Sequence, residues 1–267
     1  MHDTASSRAR PGRTRRDHWR ALRIAWRAPQ VLLHVLVALP LMALVVNPLG
    51  ARITLGGLRW DHRAIRWWSA RTARLFGIRV RAIGAPLPGG VMFVANHINW
   101  LDIVALHSQH MMGFVAKAEI ARWPLVGWLA TRAETIYHAR GSSDSLNGVM
   151  HQMASRLSAG RAVAAFPEGR TTSGAALGTF HARIFQPAIS AGALVQPVAL
   201  RYGERGDAQT VIAFTATENF MSNLLRLIGE PARVAEVHFL EPVSPSPDGR
   251  RRMAELCRGR IEAALAS

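Results

Sequence analysis

Apolar residues fall into distinct patterns along this chain. From Val31 to Val46 it reads VLLHVLVALPLMALVV, apolar except for His34 and interrupted by Pro40. A bilayer-spanning helix needs about 20 apolar residues, so the run is at the short end, and Pro40 predicts a kink. A basic segment precedes it, as in a secretory leader, but no small-x-small cleavage site follows Val46 cleanly. The run therefore reads as a membrane anchor, spanning or re-entrant. Basic residues on both flanks select no topology by the positive-inside rule, and favour a hairpin-like insertion with both ends cytoplasmic. Residues 59–80 follow with Ile65, Trp68, Thr72 and Leu75 at helical spacing and Arg63, Arg66 and Arg74 elsewhere around the helix. Trp and Arg beside an apolar face is the composition of an interfacial helix. The alternative is a surface helix packed on its own domain, and the neighbouring apolar run tilts the balance to membrane.

After Pro86 the periodicity changes. Val91–Ala95 is a short apolar run behind Gly89-Gly90 and predicts a buried strand. Further strands are predicted at 113–116, 135–138, 162–166, 194–201, 211–215 and 233–240. Helical stretches are predicted near 101–111, 144–159, 182–191, 219–228 and 249–266. Strands alternating with helices imply an α/β fold. Several connections are too short for crossovers, so the central sheet is expected to be mixed, flanked by helices and preceded by the N-terminal membrane-associating helical segment.

Charge sharpens the division. Residues 1–90 hold 16 Arg against 3 acids, whereas residues 91–267 hold 17 basic and 14 acidic side chains. The basic excess therefore belongs to the first third and suggests an anionic partner surface, nucleic acid or membrane. Residues 1–17, with Arg8, Arg10, Arg13, Arg15 and Arg16, contain little to bury and read as a disordered tail. A single cysteine, Cys257, excludes an internal disulfide and a multi-thiolate metal site.

Two clusters can carry chemistry. The first is Asn96-His-Ile-Asn-Trp-Leu-Asp102, at the end of a predicted strand. Positions five apart on one helix lie about 140° apart around its axis. With His97 in the turn and Asp102 in the first helical turn, the pair can meet. Asp102 then accepts from one imidazole nitrogen and leaves the other to take a proton from a hydroxyl. Asn96 is placed to cap the helix or hold the loop. The second is Phe166-Pro-Glu-Gly-Arg-Thr-Thr-Ser-Gly174, again at a strand end. Gly169 permits close backbone approach, and Arg170 can pair with phosphate or carboxylate. Each cluster alone is compatible with a merely structural loop.

Together they resemble the glycerolipid acyltransferases, the acyl-glycerol-phosphate acyltransferases and related lysophospholipid acyltransferases. The resemblance runs from about Val91 to Arg201. Within it, Arg140 sits where that family has a substrate-binding Arg, and Val195-Gln-Pro-Val-Ala-Leu200 is similar to its fourth block. The resemblance implies direct transfer of a fatty acyl group from acyl-CoA or acyl carrier protein to a lyso-lipid hydroxyl. His97 and Asp102 would be catalytic, without metal, cofactor or acyl-enzyme. It implies substrate contacts from Asn96, Lys117, Arg140, Glu168, Gly169, Arg170 and Thr171, with Glu168 and Arg140 positioning the acceptor or knitting the site. Backbone amides around Gly169 would serve the oxyanion. Lys117 is the only Lys in the chain and would meet the acceptor headgroup; chance placement is the alternative. Trp123 and Trp128 would shape an acyl channel or pack in the core. Cys257 is expected to pack, and His107, His110, His138, His151 and His181 to be structural or superficial. The chain then divides into a basic tail (1–30), membrane-anchoring and interfacial helices (31–85) and an acyltransferase domain (86–267), located at the cytoplasmic membrane with the catalytic domain facing the cytoplasm. Its partners would be membrane lipids and the acyl donor, with no nucleic acid.

The order Gly169-Arg170-Thr171-Thr172 departs from the family's Gly-Thr-Arg-Ser, and the Arg140 block lacks the usual Gly and Asp. The acceptor therefore stays open between 1-acylglycerol-3-phosphate or a related lysophospholipid and a non-phosphate lyso-lipid such as lyso-ornithine lipid. Readings from other classes are a basic membrane- or nucleic-acid-binding protein without catalysis, and a thioester hydrolase using the same pair.

Overall fold

The structure, a computed structural model, describes residues 17–139, 141–245 and 248–267. The disordered tail expected over residues 1–17 lies, up to position 16, outside the described residues. Helix α1 (Arg20–Leu33) passes through a π-helical turn, His34–Ala38, into α2 (Leu39–Val45). Arg20–Val45 is thus one helical segment of 26 residues, long and apolar enough to cross a membrane. At about 1.5 Å per residue it exceeds a hydrocarbon core of about 30 Å. Pro40 does not break it; the wider π turn just ahead makes room for the ring. His34 Nε2 lies 3.1 Å from Thr72 Oγ1 and its ring stacks on Trp68. Leu33, Leu36, Leu41 and Leu44 are exposed.

A short hairpin, β1 (Thr54–Leu55) and β2 (Leu58–Arg59), leads into α3 (Trp60–Leu75). Ile65, Thr72 and Leu75 are buried in protein, while Trp60 and Trp67 remain exposed. The helix is shorter than the 59–80 expected. Gly77, at φ 76°, ends it, and the Arg27 guanidinium fills the space of a Cβ there. The next residues, Ile78-Arg-Val-Arg-Ala-Ile83, alternate apolar and polar and form strand β3 (Ile78–Ile83).

Alternating elements then build the sheet: β4 (Met92–Ala95), α4 (Leu101–Gln109), β5 (Gly113–Lys117), α5 (Val126–Arg132), β6 (Ile136–His138), α6 (Ser143–Ser158), β7 (Val163–Ala165), α7 (Gln186–Ala191), β8 (Val195–Tyr202), α8 (Gln209–Ile212), α9 (Phe220–Ile228), β9 (Arg233–Phe239) and α10 (Gly249–Ala266). The strand order is β3-β9-β8-β4-β7-β5-β6. Every neighbouring pair is parallel except β8 with β9, so the sheet is mixed as expected. β4, β7 and β8 are buried along their whole length, as strands covered on both faces must be. Phe93 and Ala95 point into one core with residues of α3, α4 and α9; Met92 and Val94 point into the other with α6, α7 and α10. The edge strand β3 carries exposed Arg79 and Arg81, charges that discourage further pairing.

The strand expected at 211–215 is absent. Gln209 instead bonds the Leu200 carbonyl and the Tyr202 amide, capping the edge of β8. Arg226 takes the carbonyls of Val211 and Ala213, leaving no ladder to form.

One carboxylate ties the N-terminal elements to the far edge. Glu134, at φ 60° between α5 and β6, lies 2.6 Å from Arg161, 3.5 Å from Arg59 and 3.7 Å from His62. Burial opposes its ionisation, but the contacts of His62 and Arg161 outweigh that and hold it at about 2. Because this lies below the unfolded value, its contribution is present above about pH 4.5 and is lost as pH falls towards 2. Glu134→Gln is expected to destabilise the fold by about 1–3 kcal/mol at neutral pH. Urea unfolding should show the gap from wild type shrinking as pH falls from 4.5.

Candidate active site

The site is built where β4 stops. Asn96 is buried, and its side chain pairs with both polar groups of Leu200: Nδ2 donates to the carbonyl at 3.0 Å and Oδ1 accepts from the amide at 2.8 Å. It splices the loop to β8, one of its two expected roles, and its amide group faces backbone rather than an open cleft.

His97 then leaves the sheet and Asp102 enters the first turn of α4. Asp102 Oδ2 accepts from His97 Nδ1 at 2.8 Å, from the Ile98 amide at 2.7 Å and from the Asn99 amide at 2.9 Å. The carboxylate thereby satisfies free amides at a helix start, where negative charge is favoured. Its other oxygen, Oδ1, accepts from the Tyr202 hydroxyl at 2.7 Å. Asp102 is fully buried, whereas the His97 side chain is 16% exposed. Burial raises the Tyr202 phenol well above its ordinary range, and the Asp102 charge adds to this, so Tyr202 stays a donor. His97 Nε2 has no protein partner among the described residues. Phe166 stacks on the imidazole at 3.8 Å with planes 10° apart, and Phe114 backs Phe166 at 5.4 Å. The ring plane is therefore fixed from the side and its rotation from below.

The Phe166–Gly174 loop closes over the same point from β7, the neighbouring strand. Glu168 is buried and divides its carboxylate between two backbone amides, His97 at 2.8 Å and Gly178 at 2.7 Å. Burial pushes its pKa up, while the two amides act against that. A Cβ on Gly178 would stand 2.7 Å from Glu168 Oε2, so a larger residue there would displace the carboxylate. Thr172 returns a bond from its amide to the His97 carbonyl at 2.8 Å. Glu168 thus knits the loops, the second of its expected roles. The Gly169 amide donates to the Phe166 carbonyl at 3.0 Å, closing a turn at φ 70°. This corrects the expectation that Gly169 itself offers its amide to a ligand. The next two amides, of Arg170 and Thr171, have no protein acceptor among the described residues.

Of the remaining expected contacts, Lys117 is exposed at the carboxyl end of β5, in register with His138 of β6. Arg170 is exposed and Thr171 half-buried on the loop after β7. Arg140 lies outside the described residues. His97, Lys117 and Glu168 all follow or end parallel strands, so they share the carboxyl edge of the sheet, the usual ligand edge of such folds. Trp123 and Trp128 line a cavity of about 610 Å³ with Arg59, Asp61 and Arg132, and neither His97 nor Asp102 lines it. Cys257 is packed in the core, where burial pushes its thiol up to about 12. His107 is buried against the Met112 carbonyl, and burial lowers it to about 4.

Three contributors escape a sequence reading. Tyr202 lies 100 positions from Asp102. Asn99 Nδ2 bonds Asn223 Oδ1 at 3.0 Å and the Ile212 carbonyl at 2.8 Å. Asn223 also receives Trp100 Nε1 at 3.1 Å, so α9 grips the His97–Asp102 turn from outside. Only Asn99 lies in a motif; no local signal marks Tyr202 or Asn223.

Residues 79–201 match the sequence model of the family described as Acyltransferase. The chain is 36% identical over 203 residues to a lyso-ornithine lipid O-acyltransferase of Pseudomonas aeruginosa, covering 76% of this chain and 78% of that one. It is 35% identical over 164 residues to a 1-acyl-sn-glycerol-3-phosphate acyltransferase of Neisseria gonorrhoeae, covering 61% of this chain and 64% of that one. The crystal structure of the 1-acyl-sn-glycerophosphate acyltransferase from Thermotoga maritima shares the fold, with a TM-score of 0.63 at 18% identity over 90% of this chain and 98% of that one. By the 36% identity to the Pseudomonas aeruginosa protein over about three quarters of both chains, together with the family match over residues 79–201, this chain belongs to the acyltransferase family.

Proposed function

We propose that this enzyme acylates the hydroxyl of a lyso-lipid at the cytoplasmic membrane, drawing the acyl group from acyl-CoA or acyl carrier protein on the cytoplasmic side. The observation that carries the reading is an imidazole fixed through Nδ1 to a buried carboxylate, with Nε2 open. Asp102 sets the tautomer in which Nε2 is the base. Nε2 takes the proton of the acceptor hydroxyl as its oxygen attacks the thioester carbonyl. The tetrahedral intermediate collapses with cleavage of the C–S bond. The leaving thiolate takes the proton back from the imidazolium, giving an ester and a free thiol. The amides of Arg170 and Thr171 are the donors for the oxyanion. Lys117 and Arg170 are exposed cations on the same edge and suit an anionic headgroup. The apolar segment Arg20–Val45 holds the enzyme at the bilayer from which the acceptor comes.

Two acceptors compete. The longer match to the Pseudomonas aeruginosa lyso-ornithine lipid O-acyltransferase, and the order Gly169-Arg170-Thr171-Thr172, favour lyso-ornithine lipid. The Neisseria gonorrhoeae relative favours 1-acylglycerol-3-phosphate. Purified enzyme given acyl-CoA or acyl carrier protein and a panel of both lyso-lipids should release thiol only when an acceptor is present, and fastest with lyso-ornithine lipid. Thiol release independent of any lyso-lipid would make the enzyme a hydrolase.

His97→Ala and Asp102→Ala should each lower kcat by about 10²–10⁴-fold, with an unchanged circular dichroism spectrum. Near-normal turnover by a folded His97→Ala protein would refute the mechanism. Tyr202→Phe removes one donor from Asp102 and leaves the rest of its shell. Loss of about 1 kcal/mol of hydrogen bonding should lower kcat by about 3–10-fold with the fold intact; turnover equal to wild type would show that the Tyr202 hydroxyl does not act through Asp102.

A further inference from the structure

α9 has two different edges. Asn223 and Leu227 are buried on one edge, Ile228 is buried in the last turn, and Asn223 holds the catalytic turn through Asn99 and Trp100. On the opposite edge Met221 and Leu225 are 57% and 58% exposed. The helix, FMSNLLRLI, contains no acid, and its one charge, Arg226, pairs with Glu218. Trp123, also exposed, packs on Phe220 at 5.4 Å, and Leu125 beside it is exposed as well. An apolar helix edge flanked by a Trp is the composition that settles at a lipid interface.

The C-terminal end of this helix is joined to the N-terminal helix. Arg23 donates to the Gly229 carbonyl at 2.7 Å, and Arg27 to the carbonyls of Ile228 and Glu230 at 3.2 and 2.7 Å. These cations cap the C-terminal end of α9, where carbonyls have no helical partner. Arg20 adds an ion pair to Glu230. α1 is thus clamped to α9, and its other side exposes Trp19, Leu22 and Trp26. If the apolar segment lies at a bilayer, α9 is carried to the same surface.

We propose that Met221 and Leu225 of α9, with Trp123 and Leu125, form a second bilayer contact, seated at the headgroup–acyl boundary. This rests on the reading of Arg20–Val45 as the membrane segment. The contact sets the depth of the catalytic turn, because the helix that touches lipid on one edge holds Asn99 and Trp100 on the other. The acceptor, itself a lipid, then needs to rise only as far as the interface.

The test uses the full chain with single cysteines introduced as Met221→Cys, Leu225→Cys, Leu36→Cys or Glu255→Cys. Each is labelled with an environment-sensitive fluorophore; the native Cys257 is buried and does not compete. The labelled proteins are reconstituted into phosphatidylethanolamine–phosphatidylglycerol vesicles with and without brominated chains. The expected result is a blue shift and bromine quenching at positions 221 and 225 as well as 36, with neither at 255. Shift and quenching at 36 but not at 221 or 225 would overturn the second contact alone. A shift at 221 that follows protein concentration rather than lipid would assign the edge to a second copy of the chain and also overturn it. Loss of the signal at 36 too would overturn the membrane reading beneath it.

Discussion

The site depends on the burial of one carboxylate. A carboxylate with no exposure is costly unless donors surround it. Asp102 has four: an imidazole, two loop amides and a phenol. Three of them converge on one oxygen. The charge therefore dictates the path of residues 97–99, since any other path would strip donors from it. The geometry needed for a base and the geometry needed to keep a buried anion satisfied are the same.

Neighbouring elements are recruited by what this turn leaves unsatisfied. The His97 amide points away from Asp102 and is taken by Glu168; the His97 carbonyl is taken by Thr172. Asn96 anchors the start of the loop to β8, and Asn223 anchors its end to α9. The dyad is thus held by three separate stretches of chain, and its rigidity is a property of the sheet edge rather than of the motif. The carboxylate of the second motif, Glu168, bonds to backbone amides of His97 and Gly178, and a side chain at 178 would push against it.

Much of this was legible in the sequence, for a physical reason. His97 and Asp102 interact across one turn, so spacing alone states that they can meet. The strands that carry the edge are buried on both faces and show as short apolar runs. What was not legible is non-local. The phenol of Tyr202 and the amide of Asn223 reach the turn only because β8 lies beside β4 and α9 covers the turn. The end of α3 was misplaced for a related reason. The signals for a strand there are Gly77, the short alternation of Ile78–Ile83 and a partner, β9, far along the chain. The 211–215 segment has strand composition, but Arg226 and Gln209 had already claimed the hydrogen bonds that a ladder would need.

The same division separates the chemistry from the choice of acceptor. Residues that orient His97 bond to backbone or to one another, so replacing any of them leaves a buried group unpaired. Their identities are therefore constrained by folding. Lys117, Arg170 and Thr171 stand on the same edge without that duty. Exchanging a cation there costs the fold little, because an exposed charge contributes little to stability. Under the proposed reaction, headgroup preference is therefore carried by the residues the fold constrains least. The family's acyl-transfer core can then persist while the lipid it serves changes.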